Sequence, residues 1–247
     1  MLLEIYDIEP LKKFFDLIYD SANVVELKLD QEKMAISLLN NSHVAFYNLE
    51  LARDFFGNYQ IDGAESVLVF VEDFYKILKS SNKSDILTLQ TDESNLSCIF
   101  EHVGNRRVFE LPLAEDYGDS PTPPAIDYPR EFTIYLNDLK QPTEDLDKIV
   151  KTDKFKMVLE DNELIVVAPT DAMTKYSNSV SVETTDTGMV SSTYNIDYIG
   201  SLQKLSKISE EVLIKIGEQM PCSWIITSPD DLVKISGLIA PIIEQED

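Results

Sequence analysis

The sequence is poor in the residues from which most catalytic and metal sites are built. Its 247 residues include only 8 glycines, 2 cysteines and 2 histidines. It contains no glycine-rich loop that could cradle a phosphate and no Gly-x-Ser-x-Gly segment that could present a nucleophile. His43 and His102 have no metal-ligand partner at a useful spacing. We therefore expect no catalytic residue, no bound metal and no cofactor.

Long apolar runs and signal-like segments are also missing. No apolar run approaches the roughly 18 residues that a membrane span needs. Residues 1–7 lack the basic region and apolar block of a signal peptide. Cys98 and Cys222 lie in strand-like runs and are expected to be reduced and packed, although two cysteines alone leave a disulfide open. These features predict an intracellular, cytoplasmic protein with no membrane partner.

Positive charge is scarce as well. The chain has 21 Lys and Arg against 44 Asp and Glu, a formal net charge of −23 and a pI of about 4.3. Nucleic-acid-binding proteins usually carry a basic domain or patch. The balance argues against a nucleic-acid partner unless the few cations are concentrated on one surface.

What the chain does contain is enough apolar sequence for a core, arranged in an α+β pattern. Hydrophobic residues make up 44% of it. Apolar residues at helical spacing predict helices over residues 9–20 and 72–80. Alternating or continuous apolar runs predict strands at residues 2–7, 24–29, 35–39, 44–51, 66–70, 85–90, 97–102 and 107–113.

The same order of elements begins again after a proline-rich, acidic segment at residues 114–128, which is predicted to be a stiff linker. Strands are predicted at 131–135, 154–159 and 163–168, with a helix at 139–150. Because proline is tolerated only in the first turn of a helix, Pro142 predicts that this helix starts late or kinks. Two copies of one β-α-β-β-β … β-α-β-β-β unit explain the pattern, with domains at 1–113 and 129–247; a chance repetition of order is the alternative.

Ten of the 21 cations fall on or beside the four predicted helices, and no arginine does. Several of these lysines are three residues apart, a spacing that places both members of a pair on one helix face. Solvated faces opposite an apolar stripe are the plain explanation. The ten residues are Lys12, Lys13, Lys76, Lys79, Lys83, Lys140, Lys148, Lys151, Lys204 and Lys207.

Three segments give the chain a family resemblance. They are residues 37–51, with Asn40-Asn41-Ser42 between two apolar runs, then Leu11-Lys12-Lys13, and Leu238-Ile239-Ala240-Pro241-Ile242 near the C-terminus. In this order and length they resemble the sliding clamps of the proliferating-cell-nuclear-antigen family. The resemblance implies a DNA-clamp fold, closed rings around duplex DNA, and a non-enzymatic processivity role. It also implies that the ten lysines line the hole.

The resemblance further implies a groove for client proteins, such as DNA polymerase, that carry short apolar and aromatic motifs. The sequence departs from the family pattern here, since Leu238 stands where an aromatic is usual and Ile242 where a basic residue is usual. These departures leave the client motif open. The matching groove residues are Leu39, His43, Tyr117, Ile126, Pro221, Leu238, Ile239, Ala240 and Pro241.

Ring closure in the family pairs an edge strand of one subunit's first domain with one from the next subunit's second domain. The resemblance thus implies a homotrimer, with a heterotrimer as the alternative, and a clamp loader to open it. The matching segments are 107–113 and 177–185. The residues expected at the interface are Arg107, Val108, Phe109, Glu110, Leu111, Ser177, Val180 and Val182.

Two rival functions fit the composition. One is an acidic adaptor or DNA mimic that binds proteins and never encircles DNA, which the charge favours and the lysine-bearing helices oppose. The other is a small α+β enzyme with an unrecognised site. An archaeal or viral source is expected, and a nuclear location if the source is eukaryotic.

Overall fold

The computed structural model describes residues 1–92, 94–115, 121–169, 172–184 and 187–243. They form two compact units. The first contains Met1–Thr122 together with Thr227–Ile235, and the second contains Pro123–Ile226 and the chain from Ser236 onward. Sequence reasoning placed Thr227–Ile235 in the second domain, whereas its contacts group it with the first unit.

The first unit contains eleven strands and helices in its described residues, and a single 3-10 turn at Arg53–Phe55 follows β4. The strands form two antiparallel arrangements, β5-β1-β7-β8-β9 and β6-β2-β3-β4. The elements are β1 (Leu2–Ile5), α1 (Glu9–Ile18), β2 (Val24–Leu29), β3 (Lys33–Leu39), β4 (Ala45–Ala52), β5 (Asn58–Gln60), β6 (Glu65–Phe70), α2 (Val71–Lys79), β7 (Ile86–Thr91), β8 (Asn95–His102) and β9 (Asn105–Pro112).

The second unit repeats the pattern β-α-β-β-β twice. Its strands form β13-β12-β11-β14 and β10-β15-β16, again antiparallel. The elements are β10 (Arg130–Tyr135), α3 (Leu136–Asp145), β11 (Lys154–Glu160), β12 (Glu163–Val167), β13 (Ser177–Ser181), β14 (Met189–Asn195), α4 (Ile196–Ser201), β15 (Glu211–Ile216), β16 (Cys222–Thr227) and β17 (Val233–Ile239). Because the first unit has the same order with β5 added, the predicted repeat is confirmed.

The strands alternate because one face of each lies in a core. Val25, Leu27 and Leu29 of β2 are at most 2% exposed, while the residues between them are half-buried or exposed. A one-residue shift in register would turn this apolar set toward solvent. Cys98 and Cys222 are also fully buried and free, so the prediction of reduced, packed cysteines is confirmed.

Helix α3 differs from its prediction. It begins at Leu136, so Pro142 lies inside the helix and not in its first turn. α-Helical geometry ends at Asp145, and one π-helical turn, Leu146–Val150, continues the chain. The expectation of a late start is therefore wrong. Leu136 and Leu139 are buried and precede the proline, and burial of this first turn explains why the helix forms before it.

Candidate nucleic-acid interface

In the first unit, helices α1 and α2 pack against each other through aromatic rings. The Phe15 and Phe74 rings meet edge to face, with centroids 4.9 Å apart. The Tyr19 and Tyr75 rings lie 5.0 Å apart. Tyr75 also donates a hydrogen bond to the carboxylate of Asp16. The buried sides of both helices face the core, so their remaining sides form one surface of this unit.

The predicted lysines of this unit lie on that surface. Lys76, Lys79 and Lys83 are exposed, whereas Lys12 and Lys13 are half-buried. The ammonium of Lys79 lies 5.5 Å from the centre of the Tyr75 ring, within cation–π distance. Flexible ammonium groups presented in this way can contact a phosphate backbone without reading base edges.

Several of these lysines have a glutamate on the same helix. Lys12 and Lys13 lie 4.0 and 3.9 Å from Glu9, and Lys76 pairs with Glu72. The Glu72 carboxylate, chiefly through its hydrogen bond, raises the pKa of Lys76. Sequence reasoning missed these acids, although the i,i+4 spacing that predicts such pairs was visible.

The charges of α2 also suit the helix itself. Glu72 and Asp73 occupy its first turn, and Lys76 and Lys79 lie toward its C-terminal end. Acids near the N-terminus and cations near the C-terminus are stabilised by the helix dipole, each by about 0.3–1 kcal/mol. A structural role and a DNA-facing role therefore coexist at these positions.

In the second unit, α3 and α4 approach closely. A Cβ atom on Gly200 would lie 2.8 Å from the Cγ2 of Thr143, so only glycine fits there without displacement. Gln203, in the 3-10 turn Leu202–Leu205 that follows α4, donates a hydrogen bond to the carbonyl of Leu136. These contacts bind the end of α4 to the start of α3.

The lysines of this unit are less regular than predicted. Lys140 and Lys148 are exposed on α3 and its π turn, and Lys148 pairs with Glu144 at 3.0 Å. Lys151 has φ 60° and ψ 52°, a left-handed conformation that ends the helix. Lys204 lies in the 3-10 turn, and Lys207 follows it. The prediction that the pairs 148/151 and 204/207 each share a helix face is therefore wrong, because the helical geometry ends before the second lysine.

Both strands predicted to join subunits lie at a sheet edge. In the sheet orders, β9 is the last strand of its five-stranded arrangement and β13 the first of its four-stranded one. On β9, Val108 is 44% exposed and Leu111 is buried, while Phe109 is half-buried and Glu110 exposed.

The other predicted interface residues are already bonded within the chain. Arg107 forms an ion pair of 2.5 Å with Asp85. Ser177 and Val180 belong to β13 and pair with β12. Val182 lies just beyond β13, is 7% exposed, and donates its backbone N–H to Asn162.

The groove residues occupy varied positions. In the first unit, Leu39 is 38% exposed, and His43 is exposed with a left-handed φ of 59°. Tyr117 lies outside the described residues. In the second unit the half-buried residues are Ile126, Pro221, Leu238, Ala240 and Pro241.

Ile239 is the exception among the groove residues. It lies on β17 and is 1% exposed, within the core.

Other candidate chemistry is limited. Among the residues that the structure describes, no group of three or more His, Cys, Asp or Glu side chains is placed to hold a metal ion. The ring of His102 lies on the surface, with Nδ1 3.1 Å from the carbonyl oxygen of Ser84. Within the same residues, every helix is too short or too polar to cross a bilayer.

Comparisons with known proteins give consistent results. The family model described as "Proliferating cell nuclear antigen, N-terminal domain" matches residues 3–114. A DNA polymerase sliding clamp of Methanothermobacter thermautotrophicus is 30% identical, covering 99% of this chain and 98% of that protein. The protein of the same name from Methanobrevibacter smithii is 29% identical over the same shares.

Solved structures share the fold. A chain from the crystal structure of the PCNA2-PCNA3 complex of Sulfolobus tokodaii superposes with a TM-score of 0.87 at 23% identity, covering 99% of this chain and 100% of that one. The proliferating cellular nuclear antigen of Entamoeba histolytica gives a TM-score of 0.87 at 15% identity, with 98% of each chain covered.

Proposed function

The chain belongs to the family of DNA polymerase sliding clamps, and we propose that it closes into a ring of three identical subunits around duplex DNA. Enclosure then replaces tight binding, so the ring stays on its template while it moves. It tethers DNA polymerase and has no chemistry of its own. A clamp loader opens the ring, and the site of action is replicating DNA in the cytoplasm.

The observation that carries this proposal is the edge position of both β9 and β13. An unpaired edge is an aggregation hazard that proteins usually cover, shorten or charge. Pairing β9 of one subunit with β13 of the next satisfies both edges, and three such joints close the assembly. A related subunit with equivalent edges could take one of the three places.

The proposed DNA contacts are the exposed lysines of the helices. Their ion pairs with Glu72 and Glu144 are exposed, and pairs of this kind contribute only about 0–1 kcal/mol. Exchanging a glutamate for a phosphate oxygen therefore costs little. The acids that remain nearby keep the contact weak, which suits a clamp that must slide.

We also propose that clients dock on apolar residues near the C-terminus. Leu238, Ala240 and Pro241 are half-buried, so each keeps part of its surface for a client side chain. A short apolar or aromatic segment of the polymerase would anchor there, as in other groove-binding peptides. Leu39, His43, Tyr117 and Ile126 complete this proposed groove.

Two measurements test the ring. Light scattering should give a mass three times that of the 28.0 kDa chain. With a loader and ATP, the protein should stay on nicked circular DNA and slide off the same DNA once it is cut into a linear form. A monomer that also fails to load would sink the proposal and favour the acidic-adaptor alternative.

A further inference from the structure

The hairpin that leads into β9 has an unusual tip. Val103 and Gly104 join β8 to β9 with φ values of 33° and 79°. Two-residue hairpin turns of this left-handed kind favour Asn or Gly at both positions. Val103 is β-branched and 92% exposed, so it gains no burial within its own chain. Such outliers persist where a functional contact depends on them.

The two proposed joint strands carry charge in opposite order. β9 begins with Arg106 and Arg107 and carries Glu110 near its end. β13 is preceded by Lys175 and followed by Glu183. Antiparallel pairing places the arginine end of β9 at the Glu183 end of β13, and Glu110 toward Lys175. Parallel pairing would oppose like charges, which is unfavourable across an interface.

A small acidic cavity lies at that end of β13. Its volume is about 280 Å³, and Asp138, Glu183 and Glu211 contribute carboxylates to its lining, with Tyr135 and Val182 beside them. None of its described lining residues is a lysine or arginine. Small-molecule sites usually measure about 300–1,000 Å³, so the volume suits one or two side chains better.

The negative charge of this cavity affects Tyr135. The nearby Glu211 carboxylate, by its charge and by accepting a hydrogen bond, raises the pKa of the phenol. An incoming cation would therefore be favoured at this position.

We propose that the β8–β9 tip, residues 102–106, of one subunit enters this acidic cavity on the next subunit. Arg106 then faces the carboxylates of Glu183 and Asp138, and Val103 covers the apolar surface of Tyr135. In the isolated chain Arg106 Nε lies 3.2 Å from Glu101 in an exposed pair, which is exchanged at little cost. This inference rests on the proposed ring and adds its strand direction and register.

Charge reversal tests the contact. Arg106→Glu and Glu183→Arg should each raise the dissociation constant of the assembly roughly tenfold or more, measured by sedimentation equilibrium. The double variant Arg106→Glu/Glu183→Arg should return to within about threefold of the wild type, because the pair is restored with reversed sign. Asp54→Lys, on a turn outside both strands, is the control and should not change assembly.

Disulfide trapping tests the register separately. Cys98 and Cys222 are fully buried and should not interfere. Under mild oxidation, the variant Val103→Cys/Glu183→Cys should give covalently linked subunits on a denaturing gel. The matched variant Val103→Cys/Lys175→Cys, at the other end of β13, should not.

The outcomes separate the two levels of the proposal. A trimeric wild type whose assembly ignores both charge reversals overturns this inference and leaves the ring intact, and so does crosslinking of the Val103→Cys/Lys175→Cys variant in place of Val103→Cys/Glu183→Cys. A wild type of one-chain mass overturns both. Loss of assembly with rescue by the double reversal supports the tip-and-cavity contact.

Discussion

At the scale of single residues, Asp85 holds three segments of the first unit together. Its side chain is 3% exposed and accepts hydrogen bonds from the backbone N–H of Asn82 at 2.8 Å and from Arg107 at 2.5 Å. Arg107 also donates to the carbonyl of Ser80 at 3.1 Å. The charge pair thus fastens β9 to the end of α2, which supports the outer strand of the proposed joint.

This pair predicts a pH dependence of stability. Burial alone would raise the pKa of Asp85, but the hydrogen bonds from Asn82 and Arg107 outweigh it and hold the pKa below its usual value. A depressed pKa in the folded state stabilises the protein above the unfolded value, about 3.9. That contribution is lost as the pH falls through the folded pKa.

We therefore expect Asp85→Asn to lower the free energy of unfolding by about 2 kcal/mol at pH 7. The gap from the wild type should narrow steadily below about pH 4. Urea unfolding at a series of pH values measures it. Asp54→Asn, an exposed carboxylate, is the control and should stay within about 0.5 kcal/mol of the wild type. A gap that is constant with pH would contradict the ion-pair explanation.

Val103 illustrates a cost that packing inside one chain does not recover. A non-glycine residue in a sparsely populated backbone region costs on the order of 1–3 kcal/mol, and this one is almost fully exposed. Sequence reasoning did not single it out. The signal was present, because Val-Gly between two apolar runs is a two-residue hairpin with an unsuitable first residue.

At the scale of elements, strands and long amphipathic helices were predictable and helix ends were not. The predicted helix at 9–20 and the observed α1 agree because Leu11, Phe14, Phe15 and Ile18 form a stripe that is fully buried. Such periodicity is a strong signal.

The end of the fourth helix lacked that signal. It ends at Ser201 and tightens into a 3-10 turn, and both forms keep apolar residues three or four apart. Local spacing therefore could not separate them. For the same reason the positions of Lys204 and Lys207 could not be derived.

The contact between α3 and α4 gives a prediction at this scale. Gly200→Ala should lower the free energy of unfolding by about 1 kcal/mol, because overpacking against Thr143 costs roughly 1–3 kcal/mol and the gain in helix propensity offsets about 1. Adding Thr143→Ser removes the clashing methyl but keeps the hydroxyl that donates to the Leu139 carbonyl at 2.7 Å. The double variant should recover wild-type stability or exceed it in thermal unfolding. A single variant more stable than the wild type would contradict the close approach.

The groove gives another prediction, and burial decides which residue tests it. Ile239 is 1% exposed, so a carboxylate there would test folding. Leu238 is half-buried. Leu238→Asp should weaken binding of polymerase-derived peptides at least tenfold in titration calorimetry, since an apolar anchor would face a charge. The assembly mass should be unchanged. Lys234→Asp, exposed on the same strand, is the control, and equal peptide affinities for all three proteins would refute the groove.

At the scale of the whole molecule, the acidic excess does not leave the helices. The net charge is −23, and glutamates lie beside several of the lysines proposed to face DNA. The interpretation that all surplus acid would sit away from these lysines needs this correction. Local mixing of charge lowers affinity for a polyanion without removing it.

Reversing the charge of Lys76, Lys79, Lys204 and Lys207 to Glu should keep the assembly mass and abolish stimulation of DNA polymerase. Each substitution replaces attraction to a phosphate by repulsion. Primer extension on a long template measures the effect. The control is Lys28→Glu/Lys234→Glu, at exposed lysines on strands, which should keep most of the stimulation. Full stimulation by the fourfold variant would mean that these helix faces are only solvated.

The late return of Thr227–Ile235 to the first unit has a consequence for biosynthesis. The backbone N–H of Ala52 donates to the carbonyl of Leu232 at 2.9 Å, a bond that needs a residue made near the end of translation. The N-terminal half therefore waits on the ribosome for its last segment. A nascent chain stalled before residue 227 should remain sensitive to protease in both halves.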